Sequence, residues 1–384
     1  MDPRPVEPQE LDAITRRERR RQLRAALGGL AEILIALVIG LGVGALVMRG
    51  AGYNWRLAYE GLLIGSFGDQ WAIADTLASA TPLILTGLVF GLSARAGYFN
   101  IGAQGQMVVG ALAAVAVGAH LSAPPVVAVT LAFLASALAG AIWALPPAFL
   151  KATRGVHEVI STIMFNWIAH YTALYLVFNV LNDPRSAERT VRVLPGARLG
   201  ALIPGADMTA AIFVAVGVAV FMYWLLWHSP WGYEMRIAGL NPSALRYAGA
   251  NPLWSVNLTF ILAGLAAGLA GATQIIGRPP TYALYGDLSN VRNLGFDGIA
   301  VALIGRSHPL GIILAAIFIG AMGAGARMMQ IMAGVPLDMV RIVHGTVIIA
   351  LAAPEAWTLL GKFLGRARAR RAPAPPAPAK TVHR

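Results

Sequence analysis

The chain has 384 residues, of which 57% are hydrophobic and only 12% are charged, about half the charged fraction of a soluble domain. This composition excludes an ordinary soluble protein and predicts an all-α polytopic membrane protein. Cysteine is absent, which excludes disulfides, thiolate catalysis and cysteine-based metal sites. The net charge of +12 is concentrated in Arg-rich stretches at the two ends, 16–24 and 366–371. Such ends indicate membrane topology and not nucleic-acid binding.

The apolar segments predict about ten transmembrane helices, one of them short or broken. A span needs to cross roughly 30 Å of hydrocarbon at about 1.5 Å per residue. The segment 297–306 is too short for this, so we expect a half-helix whose ends are covered by protein. The long segments are 29–48, 71–93, 100–119, 124–150, 158–180, 208–227, 254–277, 309–329 and 338–353.

The basic tails set the predicted orientation, with both termini in the cytoplasm. The chain then divides into a basic tail (1–28), a transmembrane domain (29–353) and a disordered, basic Pro/Ala-rich tail (354–384). A cleaved signal peptide is not expected, because the first apolar segment is long enough to span. Segments 151–157 and 228–253 would face the cytoplasm, and the outward loops would be 49–70, 181–206 and 278–296.

Two Gly-punctuated stretches, starting at 100 and at 295, resemble each other. A repeat of two five-helix halves would explain this likeness, since inverted repeats are common in transporters. Chance similarity between Gly/Ala-rich helices is the alternative.

The stretch "ARAGYFNIGAQGQMVVGA" (94–111) combines carboxamides with four glycines at the start of an apolar run. Asn100 is predicted to cap the helix, with Gly97 supplying the turn before it. Asn100 and Gln104 would share one face and line a pathway or gate. For Gln106, packing against a neighbouring helix is an equal alternative.

A second stretch, "GVHEVISTIMFNWIAH" (155–170), places Glu158, Thr162, Asn166 and His170 at intervals of four residues. These form one polar stripe, which would face protein or water and not lipid. Glu158 is either part of the pathway or an interfacial acid at a helix start. The pathway has no Lys or Arg, which favours a neutral polar solute. The predicted pathway residues are Phe99, Asn100, Gln104, Glu158, Ser161, Thr162, Phe165 and Asn166.

The third stretch, "WGYEMRIAGLNPSALRYAGANP" (231–252), predicts a small extramembrane helix. Asn241 would cap it, Pro242 would occupy its first position, and Gly249 would adopt a left-handed conformation at its end. This helix would dock a partner, or it is an ordinary re-entry turn. Phosphate-loop, zinc-protease and nucleophile-elbow motifs are absent from the sequence, so we predict no enzyme activity, no metal and no cofactor.

Four segments in this order, "GYFNIGAQGQ", "GVHEVISTIMFNWIA", "AGLNPSALRYAGANP" and "GFDGIAVALIGRSHPLG", resemble the permease subunits of bacterial ATP-binding-cassette importers. The group is the one for ribose-type sugars and branched-chain amino acids, and the nucleoside branch is the most similar. The resemblance covers roughly residues 70 to 352. It implies a multi-pass permease of the bacterial cytoplasmic (inner) membrane. Its implied partners are a second permease (identical or not), cassette ATPase subunits, an extracytoplasmic binding protein and the lipid bilayer.

The resemblance also implies that 229–252 is the coupling loop to an ATPase on a separate chain. The implied coupling residues are Glu234, Arg236, Gly239, Asn241, Pro242, Ala244, Tyr247 and Gly249. The alternative function is an ion-coupled secondary transporter that works without an ATPase. In that case Glu158, His170 and Asp297 would be its proton or ion sites.

Overall fold

A computed structural model of the protein describes residues 35–247 and 249–352. Its regular elements in these ranges are helices apart from one short β-hairpin. In chain order they are α1 (Ile35–Gly50), α2 (Trp55–Phe67), α3 (Gln70–Arg95), α4 (Ala103–His120), α5 (Pro125–Arg154), α6 (Glu158–Asn179), β1 (Asn182–Asp183), β2 (Ser186–Thr190), a 3₁₀ turn (Pro195–Ala197), α7 (Ala211–His228), α8 (Pro230–Leu240), α9 (Pro242–Tyr247), α10 (Pro252–Ile275), α11 (Leu294–Ile304), α12 (Pro309–Ala333) and α13 (Leu337–Ala352).

By length and composition, six helices in the described ranges are able to cross a membrane: α3, α4, α5, α7, α10 and α12. The predicted class, an all-α protein with several spans, is therefore confirmed. The predicted short helix around 297–306 is also confirmed, because α11 (Leu294–Ile304) has only 11 residues. The count of ten spans and the two-half repeat stay predictions, and the tails 1–28 and 354–384 lie outside the described residues.

The prediction of loops at 49–70, 181–206 and 228–253 was incomplete. The first contains α2, the second contains the β-hairpin, and the third contains α8 in addition to the predicted α9. A search for apolar runs finds only segments of spanning length, and α2 has 13 residues. Short helices stabilised by tertiary contacts therefore escape it.

The helix α2 is held against α12 by small residues. A Cβ on Gly61 would lie 2.9 Å from the Met328 carbonyl oxygen, so only glycine permits this close approach. Ser66 Oγ donates to the carbonyl oxygens of Leu62, at 2.7 Å, and Ala321, at 2.5 Å. Close packing of small residues replaces the apolar length that α2 lacks.

Contacts divide the chain into two compact units, Met1–Val47 with Ile342–Arg384, and Met48–Arg341. In the described part of the first unit, Thr346 Oγ1 donates to the Gly40 carbonyl oxygen at 3.2 Å. A Cβ on Gly40 would lie 2.7 Å from Val347 Cα. A small residue thus brings these two helical segments together.

The second unit is built around α10, which packs on α3, α4 and α5. Gly264 and Gly268 on α10 contact Gly140 on α5, and Gly268 also contacts Gly110 on α4. Ser136 Oγ on α5 donates to the Gly110 carbonyl oxygen at 2.8 Å. Lipid offers no hydrophobic drive between helices, so such close backbone packing supplies the stabilising contacts.

We expect Gly268→Ala to destabilise the protein by roughly 1–3 kcal/mol, the usual cost of overpacking. Its Cβ would collide with the Ser136 carbonyl oxygen. The control is Gly217→Ala on α7, where an added Cβ meets nothing within 4 Å. Apparent melting temperatures in detergent should fall for the first variant only, and equal temperatures would contradict this account of the packing.

Candidate functional site

The turn before α4 differs from the predicted cap. The helix begins at Ala103 with Gly102 at the cap position, so the prediction of Asn100 as N-cap was wrong. Asn100 instead accepts a hydrogen bond from the Gly102 N–H, at 2.9 Å from its Oδ1. This Asx-type turn delays the helix by two residues. Gly97 has the expected positive φ, +79°.

Asn166 on α6 holds the start of α4 from the side. Its Oδ1 accepts from the Gly105 N–H at 2.8 Å, and its Nδ2 donates to the Ile101 carbonyl oxygen at 2.9 Å. Both partners are backbone groups at a helix start, where intrahelical partners are missing. Asn166 therefore supplies the hydrogen bonds that the broken backbone lacks.

Gln104 holds the start of the half-helix α11 in the same way. Its Nε2 donates to the Val291 carbonyl oxygen at 2.9 Å, and its Oε1 accepts from the Gly295 N–H at 2.9 Å. Gly295 packs directly on the backbone of Gln104. The two predicted pathway amides, Gln104 and Asn166, are thus both engaged with backbone in this structure.

The other predicted polar residues of α6 are buried against protein. Thr162 and Ser161 donate to the carbonyl oxygen of Glu158, at 2.7 and 3.1 Å. The Glu158 carboxylate accepts from the Phe99 N–H at 3.4 Å and lies 2.8 Å from Lys151 Nζ. The part of the predicted stripe from Glu158 to Asn166 therefore faces the start of α4, and Lys151 on α5 balances the Glu158 charge.

The two predicted pathway aromatics lie in different surroundings. Phe99 is 44% exposed and packs edge-on against Phe90, with ring centroids 4.8 Å apart. Phe165 packs edge-on against Trp143 at 5.8 Å, and the Trp143 N–H donates to the Phe165 carbonyl oxygen at 3.2 Å. Phe99 is thus the more exposed of the two.

The predicted small helix between α7 and α10 is confirmed as α9. Asn241 Oδ1 accepts from the N–H groups of Ser243 and Ala244, at 3.0 and 3.2 Å. Gly249 has φ +80°, as expected for a residue in the left-handed conformation after the end of a helix. Tyr247 is 95% exposed, so α9 presents a large aromatic side chain at the surface of the chain.

The segment 229–252 contacts the stretch 94–111 directly. A Cβ on Gly239 would lie 2.7 Å from the Arg95 carbonyl oxygen and 2.8 Å from the Gly97 nitrogen. The end of α8 therefore packs backbone to backbone against the turn between α3 and α4. This contact joins two segments that the sequence analysis treated separately.

Arg95 extends this junction to the turn after α11. Its guanidinium donates to the carbonyl oxygens of Arg306 and Ser307, both at 2.9 Å. These two residues have φ of +53° and +51°, a conformation that non-glycine residues rarely adopt. Arg95 also lies 5.7 Å from the ring of Trp227, and the guanidinium of Arg236 lies 5.9 Å from the same ring.

Arg95 and Trp227 were not predicted from the sequence as members of this junction. A basic residue at a helix end and an aromatic residue near the end of a span are both ordinary, so neither is marked by its position. Only the fold shows that they meet.

The loops around the β-hairpin and after α10 form a joint surface, here called the hairpin surface (182–209 and 276–293). Backbone N–H groups of Thr190 and Val193 donate to Leu284 and Tyr282, both at 2.9 Å. Three Arg–Asp pairs lie on this surface: Arg189–Asp183, Arg278–Asp207 and Arg292–Asp287. The Ser289 N–H beside Asp287 holds the pKa of that carboxyl below its usual range.

The sequence of the chain is similar to those of known transport proteins. Residues 72–352 match the family described as the branched-chain amino acid transport system permease component. The chain belongs to this permease family. It is 38% identical over 335 residues to a guanosine ABC transporter permease of Bacillus subtilis, covering 86% of this chain and 95% of the relative.

Two further relatives cover nearly the same length of the permease. A glucose ABC transporter permease of Haloferax volcanii is 31% identical, over 84% of this chain and 87% of the relative. A nucleoside ABC transporter permease of Lactococcus lactis is 30% identical, over 83% and 89%.

In this permease the three candidate ion sites of the alternative, ion-coupled transporter lie in separate environments. Glu158 is paired with Lys151, whereas the His170 ring packs against Trp167 and Tyr171 at 5.9 and 5.3 Å. Asp297 lies in the first turn of α11. The described part of the permease contains no group of three acidic or histidine side chains that could hold a metal ion.

We expect Asn166→Ala to lower both the stability and the transport rate of the permease. The change removes the partner of the buried Gly105 N–H and of the partly buried Ile101 carbonyl, at about 1–3 kcal/mol for a buried group left unpaired. Asn179→Ala on the same helix is the control, because its exposed side chain bonds only to the Tyr175 carbonyl one turn away. Thermal unfolding and uptake should be affected by the first variant and unchanged by the second.

Proposed function

We propose that this permease forms the membrane pathway of an importer that carries a nucleoside inward across the bacterial cytoplasmic membrane. The observation that carries the proposal is the 38% identity with the guanosine permease over nearly the whole of both chains. The Lactococcus relative is named for nucleosides and the Haloferax relative for glucose. Nucleosides and sugars are both neutral, hydroxyl-rich solutes.

The chemistry of the predicted pathway supports a neutral solute. Its described polar groups are amides and hydroxyls, together with one carboxylate, Glu158, that Lys151 neutralises at 2.8 Å. A charged solute would need an opposite charge on the protein at low dielectric, because burying an unpaired ion is very costly. The exposed ring of Phe99 offers a face on which a flat base can stack.

We assign ten spans with both termini in the cytoplasm, arranged as two five-helix halves. The orientation is supported by the distribution of Arg and Lys, which is concentrated in the tails 1–28 and 354–384. In this orientation the segment 229–252 lies on the cytoplasmic side and the hairpin surface lies outside.

We propose that α8 and α9 dock on a cassette ATPase carried by a separate chain. Two large side chains in this segment, Leu240 and Tyr247, are 84% and 95% exposed, as anchors for a partner pocket would be. The Gly239–Gly97 contact gives docking a route to the start of α4. Nucleotide binding to the ATPase would move α9. The hydrogen bonds of Arg95 would then transmit this movement to the turn after α11.

A second permease subunit, identical or homologous, would cover the outer face of α6. Trp167 and Tyr171 near the middle of this helix are 56% and 64% exposed. Their polar tips belong at a membrane surface or against protein, not in mid-bilayer lipid. A partner helix at this face would satisfy them and enclose the pathway.

An extracytoplasmic binding protein would dock on the hairpin surface. Arg185, Glu188 and Arg192 are exposed there, whereas the Arg–Asp pairs stiffen the surface. Exposed charges at an interface rim contribute mainly to steering and orientation.

The main test is uptake of a labelled nucleoside by cells that express the complete importer. We expect excess guanosine, adenosine or uridine to compete, and a charged amino acid not to compete. The purified permease alone should hydrolyse no ATP. Uptake of amino acids in place of nucleosides, or ATP hydrolysis by the isolated chain, would refute the proposal.

We expect Tyr247→Ala to reduce ATP-driven uptake at least about tenfold, as loss of an interface anchor does. Solute binding by the binding protein should not change, because α9 lies in another part of the complex. Phe213→Ala on α7 is the control, since this aromatic side chain is also exposed but lies outside α8 and α9. Co-purification with the ATPase distinguishes lost docking from lost folding, and equal uptake by both variants would contradict the assignment to α9.

A further inference from the structure

A groove between α5, α7 and α10 takes no part in the pathway or in the proposed docking surfaces. It encloses about 490 Å³, and its lining side chains are apolar apart from Thr130. Leu134 on α5 and Phe221 on α7, which both line it, are 52% and 48% exposed. All three helices are of spanning length, so a ligand of this groove comes from the hydrocarbon of the membrane.

The groove follows only one half of each helix. Its lining lies within 129–137 on α5, 262–269 on α10 and 210–222 at the start of α7. These halves lie next to the hairpin surface, because Leu199 of that surface also lines the groove and its N–H donates to the Ile276 carbonyl oxygen at 2.8 Å. At about 1.5 Å per residue, the α7 side is roughly 18 Å long. This length is close to the hydrocarbon depth of one leaflet, about 15 Å.

The depth of the groove distinguishes between two kinds of apolar occupant. A transmembrane helix of a partner is about 10–12 Å wide and would follow α5 and α7 through both leaflets. A lipid acyl chain is narrower and ends near the middle of the bilayer, as the groove does. The groove therefore fits an acyl chain and not a partner helix.

A cation lies near the end of the groove at the hairpin surface. Arg198 directly precedes Leu199, and its guanidinium lies 4.9 Å from the centre of the Tyr282 ring. The Tyr282 hydroxyl donates to the Leu199 carbonyl oxygen at 2.9 Å. Tyr282 therefore connects Arg198 to the residue that lines this end of the groove.

Among the residues that the structure describes, no carboxylate forms an ion pair with Arg198. Its Nε donates to the Val193 carbonyl oxygen at 2.7 Å, which leaves the positive charge in place. Asp207 also lies near Tyr282, but it pairs with Arg278 at 3.2 Å. A guanidinium without a carboxylate partner is suited to binding a phosphate group.

We propose that this groove binds one acyl chain of an anionic phospholipid whose phosphate contacts Arg198. In the assigned orientation this lipid belongs to the outer leaflet. It binds the folded permease and thereby stabilises it, as any ligand specific for the native state does. The site is independent of the solute that the importer carries.

The test counts lipids bound to the purified full-length permease by native mass spectrometry. The delipidated protein is titrated with phosphatidylglycerol or with phosphatidylcholine that has the same acyl chains. We expect one phosphatidylglycerol per chain to bind about fivefold more tightly than phosphatidylcholine, the effect of one Arg beside an anionic headgroup. Equal affinities, or binding of neither lipid, would overturn the inference.

Two variants test the two ends of the lipid separately. Val218→Phe on α7 places a ring in the groove and should weaken binding of both lipids at least about tenfold, since it displaces several methylene groups. Arg198→Gln should remove the preference for phosphatidylglycerol and leave the affinity for phosphatidylcholine unchanged. Val220→Phe is the matched control, because Val220 lies on the same helix, is 50% exposed and does not line the groove.

The same spectra give the number of permease chains in each complex. If Val218→Phe separates a dimer into single chains while lipid binding stays unchanged, the groove is a protein interface and the inference is wrong. A preference for phosphatidylglycerol that persists in Arg198→Gln also contradicts it. If Val218→Phe does not accumulate in the membrane, Val214→Phe, which fills the same groove, decides.

Discussion

Hydrogen bonds from side-chain amides to broken backbone hold the functional region of this permease together. A helix that starts inside packed protein leaves N–H and C=O groups that lipid cannot hydrate. Here the Asn166 side chain hydrogen-bonds to backbone groups at the start of α4. The Gln104 side chain does the same at the start of α11. Each of these two carboxamides supplies one donor and one acceptor to the backbone at its break.

The same region joins the start of α4 to the segment 229–252. Gly97 and Gly239 meet backbone to backbone, and Arg95 fixes the strained turn after α11 through two carbonyl oxygens. Packed backbones and charge-assisted hydrogen bonds transmit displacement better than flexible side chains do, since interiors are close-packed. The turn from 95 to 102 therefore links α8, the start of α4 and the turn after α11.

Composition and periodicity predicted the helices and the polar stripe of α6. They did not predict features for which the local sequence allows two structures or for which stability comes from distant contacts. Asn100 is a good cap residue, but its side chain closes a turn on Gly102 and the helix starts later. The helix α2 was missed because its stability comes from contact with α12 and not from its own apolar length.

The sequence by itself determined that the chain is a polytopic helical membrane protein, where its half-helix lies, and that α9 is capped by Asn241. These features depend on hydrophobic length and local turn chemistry, which neighbouring residues decide. Only the tertiary structure decided that the Asn166 and Gln104 side chains bond to backbone at the starts of α4 and α11. It also decided that Arg95 and Gly239 meet in one junction. The hydrogen bonds of Asn166 and Arg95 join residues more than 60 positions apart in the chain. No local sequence pattern encodes contacts over such distances.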